Sequence, residues 1–232
     1  FLICVLNLMC GVSSAAHQID SSKEAFMSAR WIAMDADSTI LFPHIHRLKS
    51  DSEQARSLKA YDMPVLNKVC KIRTKGVSRA WVDICGLGQY ELFINGVRQG
   101  DHFLSPGWSL YTHRLYYNEI DVRDAIRHAC GGKLNISVML GGGMYDIPTD
   151  GYSKMAGSCG APKLLFCLHV EYENETKEII VSDQTWTAQK SPVRYTSIFA
   201  GEWYDATFVD EPRPVVLTRP HWDVPMVRQP EG

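Results

Sequence analysis

Short runs of alternating apolar and polar residues recur along most of the chain. In one of them Tyr90, Leu92 and Ile94 fall on one side of an extended strand, and the residues between them fall on the other. The dipeptide Asn95-Gly96 follows directly, and it favours a two-residue hairpin turn because both residues tolerate a positive φ. The pattern therefore predicts a β-hairpin at this point.

Further segments of the same kind predict a fold made mainly of strands. Turn residues separate these segments at short intervals, which is typical of sandwiches and jelly rolls. We therefore predict an all-β fold, a β-sandwich of the jelly-roll, galactose-binding-like type. The predicted strands are 69–74, 79–86, 90–95, 113–119, 133–140, 163–173, 176–182, 193–199 and 204–209.

One short helix and a set of core residues complete this prediction. Val122, Ala125, Ile126 and Ala129 recur at helical spacing, so a helix is expected over 121–130, ending before Gly131-Gly132. The predicted core residues are Trp81, Val82, Ile84, Leu92, Ile94, Ile136, Val138, Leu140, Leu165, Leu168, Val170 and Trp186.

The first residues have the pattern of a secretory leader. Phe1 to Ala15 is an apolar run followed by small residues, as in the hydrophobic region and cleavage site of a signal peptide. The basic segment and initiator Met that open such a leader are missing, so we expect the signal peptide to be clipped at its start. The run is too short to span a membrane comfortably. We expect export to the periplasm or the extracellular space.

Composition shifts divide the rest of the chain into three further parts. Residues 16–68 are predicted to be a lead-in with flanking extended segments, and 69–210 the β-sandwich accessory domain. Residues 211–232 hold five prolines and are predicted to be a connector, with at most an edge strand, to a missing downstream domain.

Charge and cysteine content narrow the function classes. The 232 residues carry a net charge of −2 and show no basic patch, so nucleic acid is not an expected partner. Five cysteines follow the leader with no Cys-x-x-Cys spacing, so zinc is not supported either. An exported protein could oxidise a pair of them, and the sequence leaves that pairing open.

The longest irregular segment between predicted strands, residues 144–160, is the candidate binding site. Long loops in compact domains are often functional. This loop offers the rings of Tyr145 and Tyr152, on which a sugar face can stack, and the carboxylates of Asp146 and Asp150, which can accept its hydroxyl protons. The alternative is a solvated loop whose tyrosines fold back on the sheet.

Five blocks in a fixed order carry a family resemblance. They are Trp31-Ile32; the segment 84–122 with YELFINGVRQGD, LSPGW and YYNEIDV; LNISVMLGGGMYDIP at 134–148; GAPKLLFCLHVEYENET at 160–176; and the segment 179–208, which ends in GEWYDATF. In these blocks the chain resembles the N-terminal region of bacterial α-L-rhamnosidases, the inverting glycoside hydrolases with an (α/α)6 catalytic barrel. The resemblance extends from Trp31 to about Val224.

The resemblance implies a function for the module. The family's catalytic carboxylates lie on the later barrel, so we expect no catalytic residue here and a non-catalytic, carbohydrate-associated module of an exported rhamnosidase-like enzyme. Its expected partners are a rhamnose-containing glycan and a downstream barrel in the same polypeptide, and calcium is a possible cofactor by resemblance. One alternative is a structural spacer that binds no sugar, and another is an independent enzyme with a site around Asp146, Asp150 and Glu202.

Overall fold

Two β-sheets packed face to face make up the domain, as seen in a computed structural model that describes residues 21–37, 61–148, 152, 154 and 157–230. The described part is almost entirely β-structure, and the predicted β-sandwich is confirmed. The helices are α1 (Ser21–Ser28), α2 (Arg123–Arg127) and a 3-10 turn (Cys130–Gly132).

The seven-stranded sheet has the order β16-β1-β10-β3-β6-β17, with β11 also paired to β10. All its pairs are antiparallel except β17 with β6. Its strands are β1 (Ile32–Ala33), β3 (Val77–Leu87), β6 (Leu115–Asp121), β10 (Lys163–Tyr172), β11 (Lys177–Val181), β16 (Val216–Leu217) and β17 (Met226–Arg228).

The six-stranded sheet has the order β15-β12-β2-β7-β4-β5 and is antiparallel throughout. Two further pairs, β13 with β14 and β8 with β9, stand apart from the main sheets. The strands are β2 (Pro64–Lys71), β4 (Gln89–Ile94), β5 (Val97–Gln99), β7 (Lys133–Gly141), β8 (Asp146–Ile147), β9 (Gly157–Ser158), β12 (Thr187–Lys190), β13 (Val193–Ser197), β14 (Gly201–Tyr204) and β15 (Arg213–Pro214).

The core lies between the facing sides of the two sheets. Val82 and Phe166 of the seven-stranded sheet belong to the same buried cluster as Leu92 and Val138 of the six-stranded sheet. All twelve predicted core residues are buried. Trp81 and Leu165 lie outside this cluster, and Leu165 belongs to a second one.

The second apolar cluster covers the other face of the seven-stranded sheet. Cys85, Leu165 and Cys167 of the central strands pack there with Phe26 of α1, and Trp222 packs at the margin of the cluster. Strands β3 and β10 are therefore buried on both faces, which explains why their sequences are nearly continuous apolar runs.

The helices differ from the prediction. Asp121 ends β6 and its carboxylate accepts the N–H of Arg123, so the helix begins later than expected, and it ends at Arg127. Gly131, with φ +61°, stands inside the following 3-10 turn rather than after a continuous helix. Helix α1 lies in the segment predicted to be a lead-in with flanking extended segments.

Strand boundaries differ from the prediction, and three of the differences are large. Strand β2 begins at Pro64 and ends at Lys71, earlier at both ends than the strand predicted at 69–74. The strand expected at 204–209 ends instead at Tyr204, because the Asp205 carboxylate accepts the Thr207 N–H at 2.9 Å and closes a turn. The proline-rich segment after Asp210 contributes β15, β16 and β17 to the two sheets.

The predicted signal peptide, at 1–15, lies outside the described residues. Within the described part of the chain, no helix has the length and apolar character needed to cross a membrane. The cysteines at 70, 85, 130, 159 and 167 are all free thiols.

Candidate functional site

The predicted sugar-binding loop begins in the interior of the protein. Tyr145 and Asp146 are each only 1% exposed, and Asp146 opens β8, where it pairs with Ser158. The Tyr145 and Asp146 N–H groups both donate to the Gly142 carbonyl, at 3.1 and 3.0 Å, and this tight turn directs the chain inward. Tyr152 is 65% exposed, and Asp150 lies outside the described residues.

The Tyr145 ring is enclosed by protein. Tyr111 meets it edge-on with ring centroids 5.2 Å apart, and the Lys163 ammonium lies 5.7 Å from its centroid. Its hydroxyl has no hydrogen-bond partner among the described residues, and burial raises the Tyr145 pKa well above its usual range. The ring therefore has no exposed face on which a sugar could stack. The expectation that Tyr145 is exposed is corrected, because the residue is buried.

The Asp146 carboxylate is also interior. Burial raises its pKa to about 6, although a hydrogen bond from the Ser158 side chain and one from the Tyr61 N–H, at 3.2 Å, oppose that change. Its Oδ1 atom has no hydrogen-bond partner among the described residues. Of the three described residues in the predicted set, only Tyr152 offers an exposed ring, and sugar binding by this loop stays a prediction.

A buried ion pair lies beside this cluster. The Lys163 Nζ atom is fully buried, 2.6 Å from Asp37 Oδ1 and 3.0 Å from the Ala161 carbonyl. The same Asp37 oxygen accepts the Ala161 N–H at 2.7 Å. The arrangement anchors the start of β10, and both of these contacts occupy the same Asp37 oxygen.

A calcium shell does not form around these groups. Calcium takes about six to eight oxygen ligands, several of them carboxylates. Among the described residues no three His, Cys, Asp or Glu side chains are grouped so that they could hold a metal ion. Asp146 has one unpartnered oxygen, but the neighbouring Asp37 is held by Lys163. These residues do not fit a calcium site.

An open cleft lies on the outer face of the six-stranded sheet, and we call it the sheet cleft. It encloses about 520 Å³ of space, part of it open to solvent. Its lining combines apolar side chains with four polar ones and consists of Met63, Gln89, Tyr90, Glu91, Leu104, Met139, Leu140, Gly141, Val193, Thr196 and Glu202.

The β13–β14 hairpin forms one wall of the sheet cleft. A Cβ at Gly141 would lie 3.5 Å from the Thr196 methyl group, so the hairpin packs closely over the end of β7. The hairpin is fixed by Asp62, whose carboxylate oxygens lie 2.7 Å from Lys190 Nζ and 3.2 Å from an Arg194 guanidinium nitrogen. Tyr195 on β13 stacks on Trp203 of β14 with ring centroids 4.6 Å apart.

The surface around the cleft is rich in exposed apolar side chains. Trp203 and Tyr204 are exposed on β14, and Phe103 and Leu104 are exposed on the loop after β5. The Glu91 carboxylate in the lining is ion-paired with Arg98, whereas Glu202 is exposed and has no ion pair among the described residues. Such a surface can stack a sugar ring and accept its hydroxyl protons.

The sequence analysis did not point to the sheet cleft, because it used GEWYDATF only as a block of the family resemblance. The run Glu202-Trp203-Tyr204 is visible in the sequence. In the structure all three residues are exposed. A two-stranded hairpin outside the main sheets has no second layer to cover it. The signal available in the sequence was a pair of aromatic residues directly after a carboxylate.

Comparison with known proteins places the chain in a family. Residues 75–216 match the family described as the alpha-L-rhamnosidase N-terminal domain. The chain belongs to this family. Over 138 residues it is 34% identical to an alpha-L-rhamnosidase of Formosa agariphila, a match covering 58% of this chain and 14% of that protein. The chain therefore spans only a small part of this relative.

Solved structures of rhamnosidases share the fold. The alpha-L-rhamnosidase of Dictyoglumus thermophilum aligns with a TM-score of 0.62 and 32% identity, over 83% of this chain and 21% of that one. The Streptomyces avermitilis alpha-L-rhamnosidase, solved in complex with L-rhamnose, aligns with a TM-score of 0.61 and 30% identity, over 71% and 16%. The resemblance found in the sequence is confirmed.

Proposed function

We propose that the chain is a non-catalytic, carbohydrate-associated module of an exported α-L-rhamnosidase-like glycoside hydrolase, and that the sheet cleft is where a glycan docks. The observation that carries the proposal is the amphipathic cleft walled by the β13–β14 hairpin, which also carries the exposed rings of Trp203 and Tyr204, in a domain of this family.

The cleft also borders the predicted loop. A Cβ at Gly143 would lie 3.0 Å from the Gln89 side chain, and Gln89 lines the cleft. The loop therefore leaves the sheet at the edge of the cleft. Tyr152 and Asp150 are the residues of the predicted set that remain candidates for contacting a glycan there.

The charges of the cleft favour binding over catalysis. Inverting hydrolysis needs an acid and a base roughly 6.5–9.5 Å apart on either side of the glycosidic bond. Two carboxylates line the cleft, and one of them, Glu91, forms an ion pair with the Arg98 guanidinium. Glu202 is therefore the only lining carboxylate without an ion-pair partner among the described residues. The inverting hydrolysis of terminal α-L-rhamnose is then the work of a barrel in the same polypeptide.

Titration calorimetry with L-rhamnose and with rhamnose-containing oligosaccharides tests the binding role. Trp203→Ala should weaken binding about fivefold, because the loss of a stacking ring costs about 1 kcal/mol, and Glu202→Gln should weaken it as well. Trp108→Ala is the matched control, since Trp108 is also exposed but belongs neither to the β13–β14 hairpin nor to the lining of the cleft. Unchanged affinity in both cleft variants, with folding intact, contradicts the proposal.

An aryl rhamnoside tests the absence of catalysis. The isolated chain should release no aryl alcohol above the rate in buffer. Turnover that Glu202→Gln abolishes would instead favour the independent-enzyme alternative.

A structural spacer is the second candidate function. Phe103, Leu104 and Val209 are exposed apolar residues, and such residues grouped on one face often mark a protein contact. A spacer should show no heat with any sugar but should associate with a separately produced rhamnosidase barrel. Phe103→Ser should then weaken that association and leave the melting temperature unchanged.

Export is proposed from the leader pattern at Phe1 to Ala15. N-terminal sequencing of the protein recovered from its native host should give a chain that starts after this run. A mature chain that retains it contradicts export by a cleaved signal peptide.

A further inference from the structure

A second groove lies at the opposite side of the sandwich, between the end of α1 and the segment that follows β16. It has a volume of about 1350 Å³, part of it open to solvent. We infer that this groove, which we call the arginine groove, binds anionic saccharides that carry a carboxylate or a sulfate group. Its lining includes Arg30, Trp31, Arg219, Trp222 and Asp223.

The two arginines are brought together by the strand register. Ile32 pairs with Leu217 in the antiparallel β1–β16 ladder, and the Thr218 N–H donates to the Trp31 carbonyl at 3.0 Å. Continued beyond the last recorded pair, this register sets Arg30 opposite Arg219, and both residues line the groove. Like charges directly across a strand pair are unfavourable, so an anion bound between them would relieve their repulsion.

Neither arginine has an ion pair with a carboxylate among the described residues, and both are exposed. The single acidic side chain in the lining, Asp223, leaves the groove with an excess of one positive charge. Guanidinium groups bind carboxylates and other oxyanions through paired N–H donors. The charge and the donor geometry both select an anionic group.

The two tryptophans give the groove its preference for a sugar. Trp31 and Trp222 are half-buried and pack against the second apolar cluster, so their rings are held in place at the groove. An indole face suits the apolar face of a pyranose. A small inorganic anion would contact the arginines alone, whereas an anionic saccharide would contact both the arginines and the tryptophans.

Hydrogen bonds hold the backbone on the Arg30 side of the groove. The Arg30 N–H donates to the Ser182 carbonyl at 2.8 Å, and the Ser182 hydroxyl donates to the Arg30 carbonyl at 2.7 Å. Ser182 is fully buried. Sites held on such fixed elements lose less entropy when a ligand binds.

Titration calorimetry of the whole chain, at 50 mM and at 200 mM NaCl, tests the inference with three probes. They are a galacturonic acid trisaccharide, a sulfated galactose oligosaccharide and a neutral galactose oligosaccharide of similar length. Both anionic probes should bind, more weakly at the higher salt, and the neutral probe should bind at least about tenfold more weakly. Binding by only one anionic probe would restrict the site to carboxylate or to sulfate sugars.

Arg30→Gln and Arg219→Gln should each weaken anionic binding at least about tenfold, since hydrogen bonds to charged groups are the strong ones. Neither should lower the melting temperature, because each removes a repulsive charge rather than a contact. Arg123→Gln on α2, outside the groove, is the matched control. Trp222→Leu should weaken saccharide binding but not the binding of inorganic sulfate.

Three results would overturn the inference. They are failure of both anionic probes to bind, affinities unchanged in both arginine variants, and equal affinity for the neutral probe. The sheet-cleft variants Trp203→Ala and Glu202→Gln should leave this binding unaltered, which separates a failure here from a failure of the proposed function.

Discussion

At the scale of single residues, burial decides how two groups near the start of the predicted loop behave. Asp146 keeps a carboxylate in the interior, and Lys163 keeps an ammonium there. The Asp146 carboxylate lacks a charged partner among the described residues, and its pKa rises to about 6. The Lys163 ammonium forms an ion pair with Asp37. Each gives a prediction of its own.

Asp146→Asn should stabilise the protein at neutral pH and not at acid pH. The Asp146 pKa is raised from 3.8 to about 6 in the folded state, so the folded protein binds a proton more readily than the unfolded chain. The free energy of unfolding therefore falls as the pH rises from about 4 to about 6, in total by about 3 kcal/mol. Asparagine carries no charge, so the free energy of unfolding of the variant does not fall in this way.

The measurement is urea denaturation of both proteins from pH 4 to pH 8. The variant's advantage should be near zero at pH 4 and about 3 kcal/mol above pH 6. Asp124→Asn on the exposed side of α2 serves as control and should follow the parent chain. An advantage that does not change with pH contradicts the buried-charge explanation.

Asp37→Ala should cost more stability than Lys163→Met. The first leaves a fully buried ammonium without its carboxylate, a loss of about 3–5 kcal/mol. The second leaves Asp37, which is 26% exposed at its side chain and still accepts the Ala161 N–H. The double variant should recover most of the loss of Asp37→Ala in chemical denaturation. Equal losses in the two single variants contradict this asymmetry.

At the scale of elements, glycines set how closely neighbouring strands approach. Gly88, between β3 and β4, lies against the backbone of Gly141 and Gly142, where an added Cβ would fall 2.3 and 2.1 Å from their carbonyl oxygens. Gly141 itself has only the Thr196 methyl nearby, at 3.5 Å. The two positions therefore respond differently to the same change.

Gly88→Ala should destabilise the domain by about 3 kcal/mol, because two backbone segments must move apart. Gly141→Ala should be tolerated, with a small effect at most on the wall of the sheet cleft. Thermal unfolding of both variants checks the pair. Similar melting temperatures would show that the Gly88 strand connection can shift without cost.

At the scale of the whole molecule, the chain after Asp210 closes the sandwich. Strand β16 pairs with β1, β17 pairs with β6, and Trp222 packs on the second apolar cluster. The segment predicted to be a connector therefore forms two edges of the seven-stranded sheet and one wall of the arginine groove.

A chain that ends at Asp210 should be less stable than the full chain and should aggregate more readily. The loss of residues 211–232 would uncover the edges of β1 and β6 and part of the second apolar cluster. Removing only residues 231–232 is the control and should change nothing. A truncated chain with an unchanged melting temperature would show that the segment is a connector after all.

Local pattern was enough to predict most strands and the core between the sheets. Leu92, Ile94, Ile136 and Val138 alternate with polar residues, and the pairing of β4 with β7 brings them to one face, as their spacing requires. The hairpin at Asn95 and Gly96 is present, with φ of +51° and +80°. These features depend on residues close in sequence, where backbone preference and side-chain period decide the outcome.

The candidate sites could not be read in the same way. Tyrosine is a residue type that is often exposed, but the Tyr145 ring packs against Tyr111 and Lys163. Both of these residues are distant from Tyr145 in sequence. Arg30 and Arg219 are 189 positions apart, and only the β1–β16 register brings them together. The sequence by itself determined the sandwich, its core and its family, because those follow from local periodicity and ordered motifs. Only the tertiary structure decided which rings and charges are exposed, because exposure depends on which distant segment covers each face of a sheet.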